Sequence, residues 1–437
     1  MTNSSVNTAP ASAARTALVA MAALAIFINY VDRGNLATAA PLIKSELHLS
    51  NVQIGLLTSA FFWIYTPGQL FAGWIADRLG GYRAMALGFL VWSGATALTG
   101  LAGGFATLIA LRVLLGIGES VGFPCVSKLF ADTLPPVRLG LANGFITAGL
   151  AFGPAFGVFF GGLIVASFGW RAMFVAFGCV ALLWLVPWFA VSKKAPARSH
   201  LTRTQPPSYA VLLKQRPLWG VCLGHFAANY WLYFVLSWLP LWLVRERGFS
   251  LVAMAELGAA VYCVQGICAI AFGWLSDRLI ARGLSATPVR KTLVIFGHLG
   301  GALALIGCVS ASRNVVITCL LISGFCGGAI GPSLWSIAQT LAGPRAAARW
   351  VGIQNGIGNL AGIIGPVITG WIVDRTGSFG GAFLLTAAVT MIGAVGWGVI
   401  LRRVEPLAWD EEARAGSDSP PNDRVEPAIG PEAQAAT

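Results

Sequence analysis

Charged and polar positions are sparse in this chain and gather in short clusters, with long apolar runs between them. Twelve of these runs reach the roughly 20 residues that a helix needs to cross a bilayer. They lie near residues 15–36, 52–75, 84–103, 105–127, 141–165, 172–192, 218–243, 253–275, 292–311, 314–339, 350–373 and 380–402. The pattern predicts an all-α membrane protein with twelve transmembrane helices. Run one contains an anomaly: Asn29-Tyr30-Val31 leads straight into Asp32-Arg33. A charge at the bilayer centre costs at least about 2.5–3.5 kcal/mol, so such side chains face water or one another. Run four repeats the anomaly with Arg112 and Glu119.

Composition narrows the class. The 437 residues are 56% hydrophobic and 11% charged, with 53 glycines and 16 tryptophans. Soluble domains carry roughly 25% charge; glycine suits close helix contacts and tryptophan suits membrane interfaces. Met1–Ala14 has no basic region of the kind that starts a cleaved signal peptide. The positive-inside rule places both termini in the cytoplasm, which leaves only Lys44, Arg171, Arg245, Arg247, Arg313 and Arg375 on the outer side. The net charge of +12 then reflects topology and anionic lipid rather than nucleic acid. A multi-pass protein of a bacterial inner membrane, working as a monomer, is the expectation. All eight cysteines fall in apolar runs, and no zinc-like spacing with histidine occurs. Neither metal nor cofactor is expected.

The chain divides into a cytoplasmic N-terminal segment (1–14), a first half of six helices (15–192), a basic, proline-bearing cytoplasmic linker (193–217), a second half (218–402), and an acidic Pro/Ala-rich tail (403–437) expected to be disordered. The halves repeat. Asn29-Tyr30 returns as Asn229-Tyr230, and Gly73-Trp74-Ile-Ala-Asp77-Arg78-Leu returns as Gly273-Trp274-Leu-Ser-Asp277-Arg278-Leu, both at a shift of 200. Asn143-Gly144 with Gly153-Pro154 returns as Asn355-Gly356 with Gly365-Pro366, at a shift of 212. Two parallel six-helix halves are a known transporter architecture.

Between runs two and three stands Gly73-Trp-Ile-Ala-Asp77-Arg78-Leu-Gly80-Gly-Tyr-Arg83. It resembles the Gly-x-x-x-Asp-Arg-x-Gly-x-x-Arg/Lys loop of the major facilitator superfamily, with a degenerate copy at Asp277-Arg278. The resemblance implies the major facilitator fold and a gating loop formed by Gly73, Asp77, Arg78, Arg83, Asp277 and Arg278. A plain positive-inside anchor would need no acid at Asp77. The segment Arg112-Val-Leu-Leu-Gly116-Ile-Gly118-Glu119, Leu134-Pro135-Pro136 with Arg138, Asn29-Tyr30-Val-Asp32-Arg33 and Ser237-Trp238-Leu239-Pro240 together resemble the anion:cation symporter family. That family carries organic anions such as sugar acids with protons. The likeness spans roughly residues 15–402.

Arg112 and Glu119 are about two turns apart and share a helix face, whereas Asp32 and Arg33 diverge by about 100°. One division has Arg33 facing a substrate carboxylate and Asp32 pairing with Arg112; the bland alternative is an ion pair that merely ties helices. Asp32 and Glu119 are the expected proton carriers. At the shift of 200, Asp32 and Arg33 become Leu232 and Tyr233, so intramembrane charge belongs to the first half, apart from Glu256 near a helix end. The second half is expected to add neutral recognition from Tyr230, Gln265, Ser333, Trp335, Ser336, Asn355 and Asn359. The family resemblance adds Tyr30 and Tyr65 and supports Ser336 and Asn359. Each neutral residue also has a simple packing role open to it.

Gly149 to Gly157, with Gly153-Pro154, reads as a close-packed, bendable helix. Gly116-Ile-Gly118 lies inside a run and lacks the strand–turn–helix setting of a nucleotide loop. His225 and His298 read as satisfied interior histidines. No nucleophile–base arrangement stands out, so the chain is not expected to be an enzyme. The leading expectation is a proton-coupled symporter importing a small organic anion by alternating access. The alternatives are an organic-anion or phosphate-ester antiporter and, behind both, a ligand sensor that moves nothing.

Overall fold

The computed structural model describes residues 8–49, 51–193, 205–309 and 312–409. The fold lies in a compact unit that ends at Pro406. The expectations for residues 1–7, for 194–204 of the linker and for 410–437 of the tail lie outside the described residues. In order, the helices are α1 (Thr8–Glu46), α2 (Asn51–Leu79), α3 (Gly81–Thr99), α4 (Phe105–Ser120), α5 (Gly122–Thr133), α6 (Leu139–Leu182), α7 (Leu185–Lys193), α8 (Tyr209–Leu213), α9 (Arg216–Arg245), α10 (Leu251–Ala281), α11 (Ala286–Gly307), α12 (Arg313–Thr376) and α13 (Gly380–Val395), which runs into a π-helical turn at Gly396–Ile400. No strand occurs among the described residues.

These helices account for the twelve spans. At 1.5 Å per residue, α12 would be about 96 Å long, three times a bilayer core, so it must be two spans. It divides at Gly343, whose φ of 60° and ψ of −177° leave the helical region just before Pro344. Similarly α6 divides at Gly169, at φ 82° and ψ 169°. Span four is α4 and α5 together, interrupted at Val121 between Glu119 and Phe123. Span six is the end of α6 continued by α7.

Contacts between the halves follow the repeat. Span five packs on span eight (α6 on α10), span two on span eleven (α2 on α12), and span four on span ten (α5 on α12). Missing side chains permit these approaches: a Cβ on Gly73 would meet the Ala348 carbonyl at 2.8 Å, and one on Gly273 would meet that of Gly140 at 2.3 Å. Within the first half, a glycine ladder seats span five on span one. A Cβ on Gly149, Gly153 or Gly157 would strike the carbonyl of Ala23, Phe27 or Val31 at 2.9, 2.7 and 2.7 Å. That ladder is the physical content of the glycine–proline stretch, and it fixes the backbone that carries Asp32 and Arg33.

Candidate functional site

The four intramembrane charges converge inside the first half. Arg33 Nη2 lies 3.3 Å from Glu119 Oε2, with the side chains 10% and 0% exposed. Aromatic rings surround the guanidinium, its centre 4.5 Å from the ring of Tyr30, 5.0 Å from Phe61 and 4.7 Å from Tyr65. Tyr30 sits three residues before Arg33 on the same helix face, while Phe61 and Tyr65 are one turn apart on α2 and stack on each other at 4.8 Å. Glu119 is the acid that answers the guanidinium among the described residues, and the Tyr233 hydroxyl also approaches it.

Asp32 points away from Arg33 and accepts from Asn35 Nδ2 at 3.0 Å. Arg112 and Glu119 are the charged groups whose fields reach it. Asp32 and Arg112 are not within ion-pair distance, and Arg112 instead has its guanidinium 5.8 Å from the Phe174 ring. Arg33 therefore pairs with Glu119, and the Asp32–Arg112 pairing is not made in this state. Asn29 faces the Glu119 carboxylate.

The neutral residues of the second half fall in three places. Gln265 and Trp335 line a cavity of about 90 Å³ with His225, Asn229, Tyr262 and Ser323. Asn359 accepts from the Tyr233 hydroxyl at 2.5 Å and donates to Asn355 Oδ1 at 2.9 Å. Tyr233 also meets Phe62 edge-on at 5.6 Å, which brings that pair of asparagines toward the Arg33 cradle. Tyr230 packs with Tyr233 and Ala361. Ser333 is buried on span ten. Ser336 stands apart from these: it accepts from Asn143 Nδ2 at 3.2 Å, at the seam between the halves. His298 has a backbone carbonyl at each ring nitrogen, Val294 at 2.8 Å and Gly224 at 3.1 Å.

The loop residues assemble at one end of the bundle. Asp77 receives Arg349 Nε at 2.9 Å and Lys128 Nζ at 3.2 Å, so one acid joins spans two, four and eleven. Arg349 also donates to the Pro207 carbonyl at 3.0 Å, and the Tyr209 hydroxyl donates to the Leu70 carbonyl, which straps the segment around α8 over the same seam. Asp277 accepts from the backbone N–H of Gly140 at 2.8 Å and of Leu141 at 2.7 Å, capping the positive end of α6. Arg290 stands 3.9 Å from Asp277 and bonds to the Pro136 carbonyl and to Thr340, each at 2.6 Å. Arg78 and Arg278 lie on Trp74 and Trp274, at 4.3 and 5.3 Å. Arg83 is exposed. At the opposite end, Glu46 accepts from Trp170 Nε1 at 2.5 Å and pairs with Arg171 at 2.9 Å, both within the first half. Hydrogen bonds from Trp170 and Arg171 hold the Glu46 carboxyl below its ordinary range.

Sequence reasoning missed Phe61, Lys128, Arg290, Gln339 and Arg349 as site residues, and used Asn143 as a repeat and family marker without giving it a role. A signal existed for the bases: an acid at a buried helix end requires a partner from a facing helix. Gln339 carried no signal, because a lone amide in a glycine-rich helix reads as packing.

Comparison with known proteins gives the same outline. The family model described as Major Facilitator Superfamily matches residues 22–348 and 257–430. The hexuronate transporter of Bacillus subtilis (strain 168) is 31% identical over 396 residues, covering 88% of this chain and 93% of that protein. The D-galactonate transporter of Escherichia coli O6:H1 is 29% identical over 417 residues, covering 90% and 96%. Among solved structures, the proton:xylose symporter XylE aligns with a TM-score of 0.71 at 16% identity, over 90% of this chain and 97% of that one.

Proposed function

The chain belongs to the major facilitator superfamily, and on that premise we propose that it imports a small organic anion together with protons. It is a membrane transporter rather than an enzyme. The observation that carries the finer reading is the Arg33 guanidinium: buried inside the first half, framed by aromatic rings, and paired with a single acid, Glu119, among the described residues. A carboxylate is the partner that a planar five-donor fork accepts best, in two parallel hydrogen bonds. Relatives named for hexuronate and D-galactonate, both sugar acids, support a hydroxylated carboxylate as substrate. Asn355, Asn359 and Gln265 offer the amide donors and acceptors that hydroxyl groups need, and Trp335 offers a flat apolar face. Tyr30 and Tyr65 hold the guanidinium plane.

Coupling follows from charge balance. Asp32, Arg33, Arg112 and Glu119 sum to zero when all are ionised. An arriving carboxylate takes up Arg33, competes with Glu119 for it, and leaves one excess negative charge in a medium of low dielectric. One proton on Glu119 restores neutrality, and Asp32, close to both Arg112 and Glu119, carries the next. Binding of anion and proton is therefore mutually favourable, which is the thermodynamic content of symport. Rocking of the halves about the seam then exposes the loaded site to the cytoplasm, the side to which the positive-inside rule assigns the Asp77 end and both termini.

Proteoliposomes test the assignment. With Glu119→Gln, a pH gradient is expected to drive no accumulation of a hexuronate or aldonate, while exchange between pre-loaded and external substrate continues. Accumulation against a gradient in that variant would overturn the role of Glu119. Strict dependence of the wild type on internal counter-substrate would replace symport by exchange.

A further inference from the structure

Spans four and ten meet where the two halves are related to each other. At the shift of 212, Phe123 corresponds to Trp335 and Ser127 to Gln339. These equivalent residues touch one another. The Phe123 and Trp335 rings stack at 4.6 Å with 15° between planes, and Gln339 Nε2 donates to Ser127 Oγ at 3.3 Å. Residues 119, 123 and 127 follow one face of span four at a spacing of one turn. Trp335 and Gln339 follow one face of span ten in the same way. The column thus begins at the Glu119 carboxylate, passes the ring stack, and ends at Gln339.

At its foot the amides of Gln339 and Asn143 exchange two hydrogen bonds. Asn143 Nδ2 donates to Gln339 Oε1 at 2.7 Å, and Gln339 Nε2 donates to Asn143 Oδ1 at 3.2 Å. Both residues are buried, and they come from different halves. The arrangement is not duplicated on the other seam. There the counterpart of Gln339 is Ser127, and Asn355, the counterpart of Asn143, turns to Asn359 instead. Trp335 lines the cavity and also closes on Phe123, and Thr147, one turn from Asn143 and bonded to its carbonyl at 2.9 Å, lines the same cavity.

We propose that the Phe123–Trp335 stack and the Asn143–Gln339 amide pair form an uncharged inner latch that holds the halves together between the Glu119 site and the outer ion pairs of Asp77. The inference rests on the alternating-access reading and adds to it a positioning role for residues that touch neither proton nor, in the case of Asn143 and Gln339, the cavity. A neutral latch suits its place. Ion pairs there would attract the carboxylate or the proton that must pass, whereas amides release both. Because Trp335 belongs to cavity and stack alike, a substrate that shifts its ring loosens the latch one turn away at Gln339.

Hydrogen–deuterium exchange on the full-length protein in lipid nanodiscs tests this without substrate or proton gradient, so its result stands apart from any failure of the symport reading. Gln339→Leu removes the amide and leaves Asn143 Oδ1 without its donor, while Asn143 Nδ2 keeps Leu139 and Ser336. Exchange in peptides covering 139–147 and 336–342 is expected to accelerate about tenfold, while the Glu46–Arg171 corner at the far end stays protected. Exchanging the pair, Asn143→Gln with Gln339→Asn, is expected to restore protection. Phe123→Leu is expected to loosen the same peptides with both amides retained. Unchanged exchange in Gln339→Leu and Phe123→Leu would overturn the latch. So would acceleration that extends to the Glu46–Arg171 corner, or failure of the exchanged pair to recover.

Discussion

In the proposed reading, Arg33 is the side chain that meets the substrate. Its plane is held by the rings of Tyr30, Phe61 and Tyr65, and among the described residues Glu119 is the acid that answers its charge. A lysine would keep the charge and lose both the stacking on the rings and the fork that the proposed carboxylate contact needs. Arg33→Lys is therefore expected to raise the substrate concentration for half-maximal uptake by about tenfold or more, the loss of roughly one bidentate contact. Tyr65→Phe keeps the ring and is expected to change that value little, whereas Tyr65→Ala removes one wall of the cradle. If Tyr65→Phe were as damaging as Tyr65→Ala, the hydroxyl rather than the ring would be the working part. At this scale the sequence was most legible where physics is most costly: charge inside an apolar run singled out Asp32, Arg33, Arg112 and Glu119 at once. Which acid meets which base was not legible. It depends on rotation about the helix axis and on a neighbour, Asn35, that takes up Asp32.

The helices themselves show how punctuation in the sequence becomes geometry. The twelve apolar runs map onto twelve spans, yet Gly343 and Gly169, where spans ten and five end, look in sequence like any other of the 53 glycines. Only the backbone reveals that they hold positive φ, a region that side chains with a Cβ enter at a cost of about 1–2 kcal/mol. Gly343→Val is accordingly expected to lower the unfolding temperature by several degrees, or about 1–3 kcal/mol once β-branching is added. Gly103→Ala, in a loop where a Cβ meets nothing within 4 Å, serves as the control. Equal stability of the two variants in a thermal scan would show that the turn after span ten tolerates a side chain. The repeat was legible at this scale because it is written in short, ordered matches. Its consequence was not: spans four and ten touch along equivalent positions, and no single-helix pattern records that.

For the molecule as a whole, the question is what holds one end of the bundle together, and the two halves answer it differently. Asp77 is answered by two full charges from side chains, Arg349 and Lys128, that are 15% and 9% exposed. Asp277 is answered mainly by two backbone N–H groups at the start of α6, with Arg290 at 3.9 Å. Asparagine can still accept a hydrogen bond, so Asp277→Asn keeps part of its cap. Asp77→Asn leaves two bases near one another without their shared acid. Removing one partner of a buried pair costs about 3–5 kcal/mol, and somewhat less at a helix end that water can reach. The acids thus predict an unequal response in a protein whose sequence repeat suggests an equal one. Spin labels at Arg83 and Arg282, exposed positions in opposite halves at this end, measure it after the exposed Cys179 and Cys263 are replaced. Asp77→Asn is expected to lengthen the distance between the labels in most molecules, and Asp277→Asn in a minority. Equal lengthening would mean that the acid at each seam works only as a helix cap. No lengthening in either would shift the work of closure to the uncharged contacts of spans four, five and ten.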